Sequence, residues 1–265
     1  MRAFVEGIGL IGPGLNGWQA SRAALAGDEP YQAAATAVAA SPLLPAVERR
    51  RAGMPVRLAL AAGIEAIENS GLEAAALGTV FTSSSADCDN VHAIFESLAA
   101  ADRHVSPTRF HNSVHNAAAG YWSIATQCRA ASTSLCAYDA SFGAGLLDAA
   151  SQVALDRQPV ALIAYDHPYP APLGAAREIK ASFGVALVLA PERTGTSLAV
   201  LEIGFEARAG AASRMQDDAL EALRDGVPAA RCLPLLAQIA RGLPARLLLE
   251  MPADTRLCVE VTPCA

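Results

Sequence analysis

AASTSLCAYDASFGAGLLDAASQVA, residues 130–154, joins a short β-prone run to a helix-forming run within a few residues. After the turn, apolar side chains recur on one helical face, at Phe142, Leu146, Ala150 and Val153. A strand that passes abruptly into a helix aims unpaired backbone N–H groups and the positive end of the helix dipole at the turn. Anions and nucleophiles are favoured there. The stretch therefore predicts a strand–turn–helix elbow, around which the fold is organised, with a functional side chain on the turn.

Two residues are candidates for that side chain, Asp139 and Cys136. Asp is a good helix N-cap, worth about 1 kcal/mol, so Asp139 also has a purely structural interpretation. Cys136, three residues earlier, is the other candidate nucleophile. As a small hydrophobe, it is also suited to packing at the end of the strand.

The stretch resembles the nucleophile elbow of the β-ketoacyl synthases, condensing enzymes of the thiolase fold. Their motif is a Ser-containing strand, then Ala-Cys-Ser/Thr-Gly, then a helix. Aligned without gaps, Ser132, Ser141 and the pair Ala149–Ala150 fall on family positions, and Asp139 takes the place of the active cysteine. Placing Cys136 there would need three inserted residues and would replace the small Ser/Thr-Gly pair by Ala-Tyr. The resemblance implies a synthase-like chain that lacks its nucleophile, with no catalytic residue of its own.

A second motif lies in residues 106–128, SPTRFHNSVHNAAAGYWSIATQC. The β-ketoacyl synthases carry here a Phe/Pro-rich loop and then Asn-x-Ala-Ala-Gly opening a helix, which residues 116–120 match closely. In the family, this loop reaches over the dimer interface into the partner's acyl pocket. The resemblance therefore implies a set of pocket or interface residues, namely Phe110, His111, Val114, Asn116, Ser132 and Ser134.

His111 and His115 lie four residues apart, which on a helix also suits two zinc ligands. No third ligand of suitable spacing follows in the sequence. A capping or interface role is therefore favoured, and neither a metal nor a cofactor is predicted.

Strands and helices alternate along most of the chain. Apolar runs predict strands at Phe4–Ile11, Gly78–Ser85 and Pro159–Asp166. Helices are predicted at about Asn16–Leu25, from Pro55 to the Asn69–Gly71 stop, and at Val91–Ala101 with Ile94, Phe95 and Leu98 inward. This βαβα order predicts a mainly parallel α/β sheet. The runs Ser182–Glu192 and Ser197–Ala207 are predicted to pair with each other as antiparallel strands around Arg193–Gly195.

The N-terminal run GIGLIGPG, residues 7–14, has a superficial likeness to a dinucleotide-binding loop. It lacks the spaced G-x-G-x-x-G motif and an acidic residue at the end of a second strand, so a Rossmann-type site is disfavoured. A strand that leads into Gly-rich turns and a helix is also how β-ketoacyl synthases begin.

Composition narrows the classes of function. A net charge of −6, with no basic run beyond Arg49–Arg51, argues against a nucleic-acid partner, and the triplet is interpreted as a solvated helix end. A hydrophobic content of 52% suits a large core and hints at a buried partner surface. No run reaches the ~18 apolar residues of a membrane span, and no signal peptide is recognised. Six cysteines without a regular framework are typical of reduced thiols, so a cytoplasmic protein without a membrane partner is expected.

The end of the chain is predicted as a remnant, residues 208–265, of two helices and two strands packed on a synthase-like unit, residues 1–207. The resemblance thus implies a thiolase-like layered α/β fold with a complete first half and a truncated second half. Condensing enzymes of the family use two histidines from the second half, and no histidine follows His167 here. What the resemblance implies is a shortened subunit of the chain-length-factor type, as in aryl polyene biosynthesis. Such a subunit pairs as a heterodimer with a catalytic ketoacyl synthase, meets acyl carrier protein through that complex, and shapes the pocket for a growing polyketide, polyene or fatty acyl chain.

Two other classes stay open. One is an active acyltransferase, condensing enzyme or hydrolase that uses Cys136 with an unidentified base, although no G-x-S-x-G motif occurs. The other is a purely structural homodimer. A fast-reacting cysteine would distinguish the enzyme from the other two.

Overall fold

The computed structural model describes residues 1–206, 210–253 and 255–264, whose strands form one mixed sheet of nine strands with helices on both faces. The strands are β1 (Arg2–Gly12), β2 (Leu15–Asn16), β3 (Gly78–Thr82), β4 (Ser132–Leu135), β5 (Val160–Asp166), β6 (Phe183–Ala190), β7 (Ala199–Glu206), β8 (Ala245–Glu250) and β9 (Arg256–Pro263). The helices are α1 (Trp18–Ala26), α2 (Ala46–Arg51), α3 (Met54–Ser70), α4 (Cys88–Ala99), α5 (Pro107–His111), α6 (Ala117–Thr126), α7 (Ser141–Asp156), α8 (Leu173–Ala176), α9 (Asp218–Gly226) and α10 (Leu233–Arg241). The predicted α/β class is confirmed.

The direction of the strands differs from the prediction. The order across the sheet is β4-β3-β5-β6-β1-β7-β9-β8, with β2 paired to β1. β3 pairs in parallel with β4 and β5, whereas the remaining neighbours along this order are antiparallel. The prediction of a mainly parallel sheet is therefore wrong. Helical crossovers connect β3, β4 and β5, so these three strands run in the same direction. The connections from β5 to β6 and from β8 to β9 instead reverse the direction of the chain, so these neighbouring strands are antiparallel.

The antiparallel pair predicted for residues 182–192 and 197–207 is also wrong. β1 lies between β6 and β7 and pairs antiparallel with each. All of β1 from Ala3 to Leu10 is buried, and a strand buried on both faces belongs in the middle of a sheet. β1 therefore separates β6 from β7, so these two strands do not pair with each other as a hairpin. Ala207, the end of the second predicted strand, lies outside the described residues.

The core lies on both faces of the sheet. On one face α3 approaches β1 so closely that a Cβ on Gly7 or Gly9 would lie 2.1 or 1.9 Å from a carbonyl oxygen of α3. On the other face α7 packs through Phe142, Leu146, Ala150 and Val153, all buried as predicted. α7 is therefore fixed against the sheet directly behind the elbow.

Helix α4 is oriented differently from the prediction. Phe95 and Leu98, expected to point inward with Ile94, are 63% and 48% exposed. The helix is amphipathic, but the described residues leave part of its apolar side exposed. Periodicity identifies an apolar face without identifying the chain that covers it.

The C-terminal part continues the same sheet. α9, a 3₁₀ turn at Pro228–Cys232 leading into α10, and strands β8 and β9 match the predicted helices and strands closely. β9 pairs with β7, and β8 pairs with β9. The boundary between the predicted units, residues 1–207 and 208–265, lies outside the described residues and stays a prediction.

The Gly-rich loop after β1 is occupied by a side chain of α3. The Glu65 carboxylate accepts hydrogen bonds from the backbone N–H groups of Leu10, at 2.8 Å, and Trp18, at 2.5 Å. Trp18 opens α1, so an N–H group that would face a pyrophosphate is bound within the chain. Among the helices of the described residues, none combines the length and apolar character needed to cross a bilayer.

Candidate functional site

The predicted elbow is present at the carboxyl end of β4. Cys136 and Ala137 follow the strand, a 3₁₀ turn spans Tyr138–Ala140, and α7 begins at Ser141. Tyr138 has a φ of 55°, in the left-handed region, which a non-Gly residue adopts at some cost. Because β3, β4 and β5 are parallel, their carboxyl ends meet here.

Asp139 does not cap the helix. In the described part of the chain no side chain forms an N-cap hydrogen bond to α7. Ser141 ties the turn instead, since its Oγ accepts from the Ala137 N–H at 3.1 Å and donates to the Tyr138 carbonyl at 2.7 Å. The N-cap interpretation of Asp139 is therefore wrong, because Asp139 is the middle residue of the 3₁₀ turn and its carboxylate faces two arginines.

Arg177 and Arg231 hold that carboxylate. Arg177 Nη2 lies 2.5 Å from Asp139 Oδ1, and Arg231 Nη2 lies 3.6 Å from Asp139 Oδ2. The carboxylate is 42% exposed, but the two arginine side chains are only 18% and 17% exposed. A cleft of about 320 Å³ beside the pair is lined by residues that include Arg231, Glu250 and Arg256. The turn thus carries a neutralised anion.

Arg177 lies between two tyrosine rings. Its Cζ is 3.7 Å from the centre of the Tyr138 ring and 5.4 Å from that of Tyr169, and it donates a hydrogen bond to the Tyr169 hydroxyl. Burial is the largest single influence and would lower the pKa of Arg177, but the hydrogen bond to Asp139 and the charge interactions with Tyr169, Asp139 and Tyr138 together outweigh it and raise the pKa. The guanidinium is therefore fixed by stacking, hydrogen bonding and charge together.

Cys136 is exposed, and its Sγ donates a hydrogen bond to the Ser84 carbonyl at 3.1 Å. Within the described residues, the hydrogen-bond partner of the thiol is this carbonyl and not an imidazole or a carboxylate. A nucleophilic cysteine needs a neighbouring base or positive charge that favours its thiolate. The Ser84 carbonyl beside Cys136 is instead a hydrogen-bond acceptor for the thiol and not a base.

A buried carboxylate lies at the end of β5, behind the elbow. Asp166 is 1% exposed and accepts hydrogen bonds from the Ser84 N–H, the Ser84 hydroxyl and the Ala229 N–H at 2.7 to 2.9 Å. Burial raises the pKa of Asp166 above its ordinary value. These contacts connect the ends of β3 and β5 to the 3₁₀ turn at residues 228–232.

The residues implied for the pocket or interface fall into two groups. Asn116, Ser132 and Ser134 line one cavity of about 510 Å³ between α6 and the outer edge of β4, together with His115. Phe110, His111 and Val114 do not line this cavity and lie exposed on and after α5, with Phe110 at 71% and Val114 at 50%. In the described residues no three potential metal ligands come together.

An apolar cavity of about 480 Å³ was not anticipated from the sequence. It lies between α4 and the loop after β5. Its lining is Cys88, Val91, His92, Phe95, Pro170, Pro172, Leu173 and Ala176. The apolar side of α4, which was predicted to face the core, forms one wall of this cavity.

Residues 18–234 match the family model of the β-ketoacyl synthase N-terminal domain. The chain belongs to this family. No curated protein has a significant match to the sequence.

Solved ketosynthase structures have the same fold. One is a ketosynthase (ApeO) in complex with its chain length factor (ApeC) from Xenorhabdus doucetiae, with a TM-score of 0.73, 20% identity, and coverage of 98% of this chain and 99% of that one. A ketosynthase/chain length factor for ishigamide gives 0.72 and 14% identity, covering 100% and 99%. A type II polyketide ketosynthase (AntDE) with its acyl-carrier protein (AntF) gives 0.74 and 12%, covering 99% of each chain. The predicted thiolase-like fold is confirmed.

Within this β-ketoacyl-synthase-like chain, sequence reasoning located the elbow and missed the groups around it. Asp166 had a usable signal, since it is the acidic end of an otherwise apolar strand. Arg177 had none, because it lies 38 residues from Asp139 in an irregular loop. The sequence therefore identified the turn alone. The structure adds the two arginines that pair with Asp139.

Proposed function

We propose that this chain is a chain length factor, a β-ketoacyl-synthase-like subunit without condensing chemistry of its own. It pairs with a catalytic β-ketoacyl synthase and shapes the space into which a polyketide, polyene or fatty acyl chain grows. The observation that carries the proposal is the elbow, where the position of a nucleophile is taken by a carboxylate at 2.5 Å from Arg177.

The chemistry supports this reading of the elbow. An acyl group on a carboxylate would be a mixed anhydride, which water hydrolyses too readily for a carrier. Decarboxylation of an extender unit needs hydrogen-bond donors for the developing oxyanion, a role that imidazoles fill in the family. No histidine follows His167 in this sequence.

The surface supports a partner at the β4 end of the sheet. β4 is an edge strand, paired on one side with β3, and Ala131 and Ser132 along it are exposed. The opposite edge is different, because Ser213 covers β8 with a 2.8 Å hydrogen bond from its N–H to Leu248 O. An open edge and apolar side chains beside it are features of an interface. The exposed apolar side chains on α4 to α6 are Phe95, Leu98, Phe110, Val114 and Ile124.

We assign the acyl chain to the apolar cavity between α4 and the loop after β5. Its lining is mostly apolar, with His92 as the polar exception, and Phe95, which is 63% exposed, lies on the helix that the partner would cover. Phe110, His111 and Val114, from the neighbouring α5 segment, would gate the partner's tunnel. A cavity closed by two chains would let one subunit set the length of product made by the other. Acyl carrier protein would reach this space through the complex.

The test is reconstitution with a catalytic β-ketoacyl synthase that assembles with this chain, followed by analysis of product length. Val91→Phe narrows the cavity, so we expect shorter products at unchanged assembly, and Phe110→Ala should shift the distribution as well. Val47→Phe is the matched control, because Val47 is exposed on α2 outside the cavity. Products identical to wild type from assembled Val91→Phe and Phe110→Ala complexes would contradict the assignment.

Covalent labelling distinguishes the proposed function from the alternative, an enzyme that uses Cys136. Intact mass after incubation with iodoacetamide, or with acylated carrier protein, should show no fast adduct on this chain and one on the catalytic partner. An acyl adduct on Cys136 or Asp139 would favour the enzyme. Assembly of the chain with itself in preference to the synthase would favour a structural homodimer.

A further inference from the structure

We propose that the Asp139–Arg177 ion pair is a latch that holds one wall of the apolar cavity, so that Asp139 is a positioning residue for chain length. This inference rests on the proposed function. It gives the residue that replaces the nucleophile a task in the same complex, namely to fix the loop of residues 167–177 against the elbow.

The wall and the latch are adjacent in the chain. Pro170, Pro172, Leu173 and Ala176 line the cavity, and Arg177 follows directly. The Arg177 N–H closes α8 by a 2.9 Å hydrogen bond to the Leu173 carbonyl. A shift of the Arg177 backbone is therefore transmitted to Leu173 and Ala176, whose side chains set the width of the cavity.

The guanidinium of Arg177 reaches from this loop to the elbow. It contacts Asp139 at 2.5 Å and stacks on Tyr138 at 3.7 Å, both on the 3₁₀ turn before α7. It also donates to the hydroxyl of Tyr169, at the start of the same loop. One side chain thus joins both ends of the cavity wall to a turn that α7 fixes against the core.

The Tyr169 end of the loop has a second contact. The Tyr169 hydroxyl lies 3.3 Å from Ser84 Oγ, and Ser84 is bound to the buried Asp166. His167 lies 2.7 Å from Ser182 Oγ and 3.3 Å from Asp89 on α4, the opposite wall. Loss of Asp139 would therefore remove the ion pair between Arg177 and the elbow and leave only the stacking on Tyr138 there, while the Tyr169 end stays attached. The expected result is a wider and less uniform cavity, not an unfolded loop.

The experiment compares Asp139→Ala, Asp139→Asn and Arg177→Ala in the reconstituted complex. We expect each to broaden the product distribution toward longer chains, with the condensation rate changed less than about twofold. The double variant Asp139→Ala/Arg177→Ala should shift the distribution by less than the sum of the two single changes, because each single variant already removes the Asp139–Arg177 contact. Arg177→Lys keeps the charge but loses the planar contact, so it should give an intermediate shift.

Arg157→Ala is the matched control. It breaks an exposed pair, Arg157–Glu192 at 2.8 Å, outside the cavity, and should leave product length unchanged. A readout independent of product is hydrogen exchange of the complex. Residues 170–177 should exchange at least tenfold faster in Asp139→Ala, with α7 and α10 unchanged.

The outcomes separate this inference from the proposed function. If Val91→Phe changes product length but the Asp139 and Arg177 variants do not, the latch is wrong and the chain length factor stands. If none of them changes product length, the proposed function fails. If Asp139→Ala reduces assembly, Asp139→Asn and Arg177→Lys carry the test, and unchanged exchange in residues 170–177 for both overturns the latch.

Discussion

Two carboxylates near the elbow are stabilised in different ways. Asp139 is partly exposed and paired with Arg177 and Arg231, so its charge is balanced. Asp166 is fully buried and is bound by hydroxyl and backbone N–H groups. Burial without a paired cation favours the neutral acid, which is why the pKa of Asp166 is raised. One residue type therefore supplies a fixed anion at the surface of the site and a hydrogen-bonding centre beneath it.

Asp166 predicts a pH dependence of stability. Because its pKa is raised in the folded state, its favourable contribution is fully present below the unfolded Asp pKa of about 3.9 and is lost as the pH rises through the folded value. Asn cannot titrate. The unfolding free energy of wild type relative to Asp166→Asn, measured by urea denaturation, should therefore fall as the pH rises above about 4.

Leu155→Asn is the control for this measurement, since Leu155 is exposed near the end of α7 and the change removes no titratable group. Its difference from wild type should stay constant over the same pH range. A constant difference for Asp166→Asn would show that its burial does not perturb protonation.

At the scale of elements, α4 is the helix whose surroundings are incomplete. α7 is amphipathic and buried along its apolar face, whereas α4 is amphipathic and leaves Phe95 and Leu98 exposed. The two helices differ in what lies opposite their apolar faces: the sheet for α7, and for α4 an open cavity walled by the loop after β5, together with solvent. Since a helix face of this kind is stabilised by contact with another surface, α4 is the element that we expect the catalytic partner to cover.

Leu98→Glu tests that expectation. The unfolding free energy of the isolated chain should change by less than about 0.5 kcal/mol, because Leu98 is already half exposed. Assembly with the catalytic synthase should be lost, because a charge would be buried at the interface. Co-purification and urea denaturation measure the two effects. Leu155→Glu, at an exposed position on α7, should retain assembly, and retention by Leu98→Glu would remove α4 from the interface.

At the scale of the whole molecule, the chain leaves the β4 edge and the apolar surface of α4 to α6 without cover. Both features favour association, since an open edge offers backbone groups to another strand and exposed apolar area is unfavourable in water. The opposite end of the sheet, with Ser213 along β8, does not share this property. The described part of the molecule thus has an open strand edge and exposed apolar side chains at the β4 end of the sheet.

At micromolar concentration the isolated chain should therefore self-associate or aggregate, so that urea denaturation is measured on more dilute chain, and co-expression with the catalytic synthase should give a stable heterodimer. Light scattering after gel filtration measures the mass, and thermal melting measures cooperativity. A monomer at micromolar concentration with one sharp transition would contradict the interface argument.

The sequence determined the local structure of this protein. Apolar spacing placed α3, α7 and most strands, and the strand-to-helix turn with its family resemblance located Asp139 on the elbow. These features are local, because periodicity and turn residues act over a few positions. The same local reasoning could identify the apolar face of α4, but it assigned that face to the core.

The tertiary structure decided everything that joins distant positions. It placed β1 between β6 and β7, which made the sheet mainly antiparallel, and it brought Arg177 to Asp139 from 38 residues away. It also formed the apolar cavity from α4 and a loop far from it in sequence. The physical reason is that pairing of strands, charges and cavity walls depends on which surfaces remain available once the core is packed. A periodic pattern predicts that a residue is buried. Only the packed chain determines which surface that residue contacts.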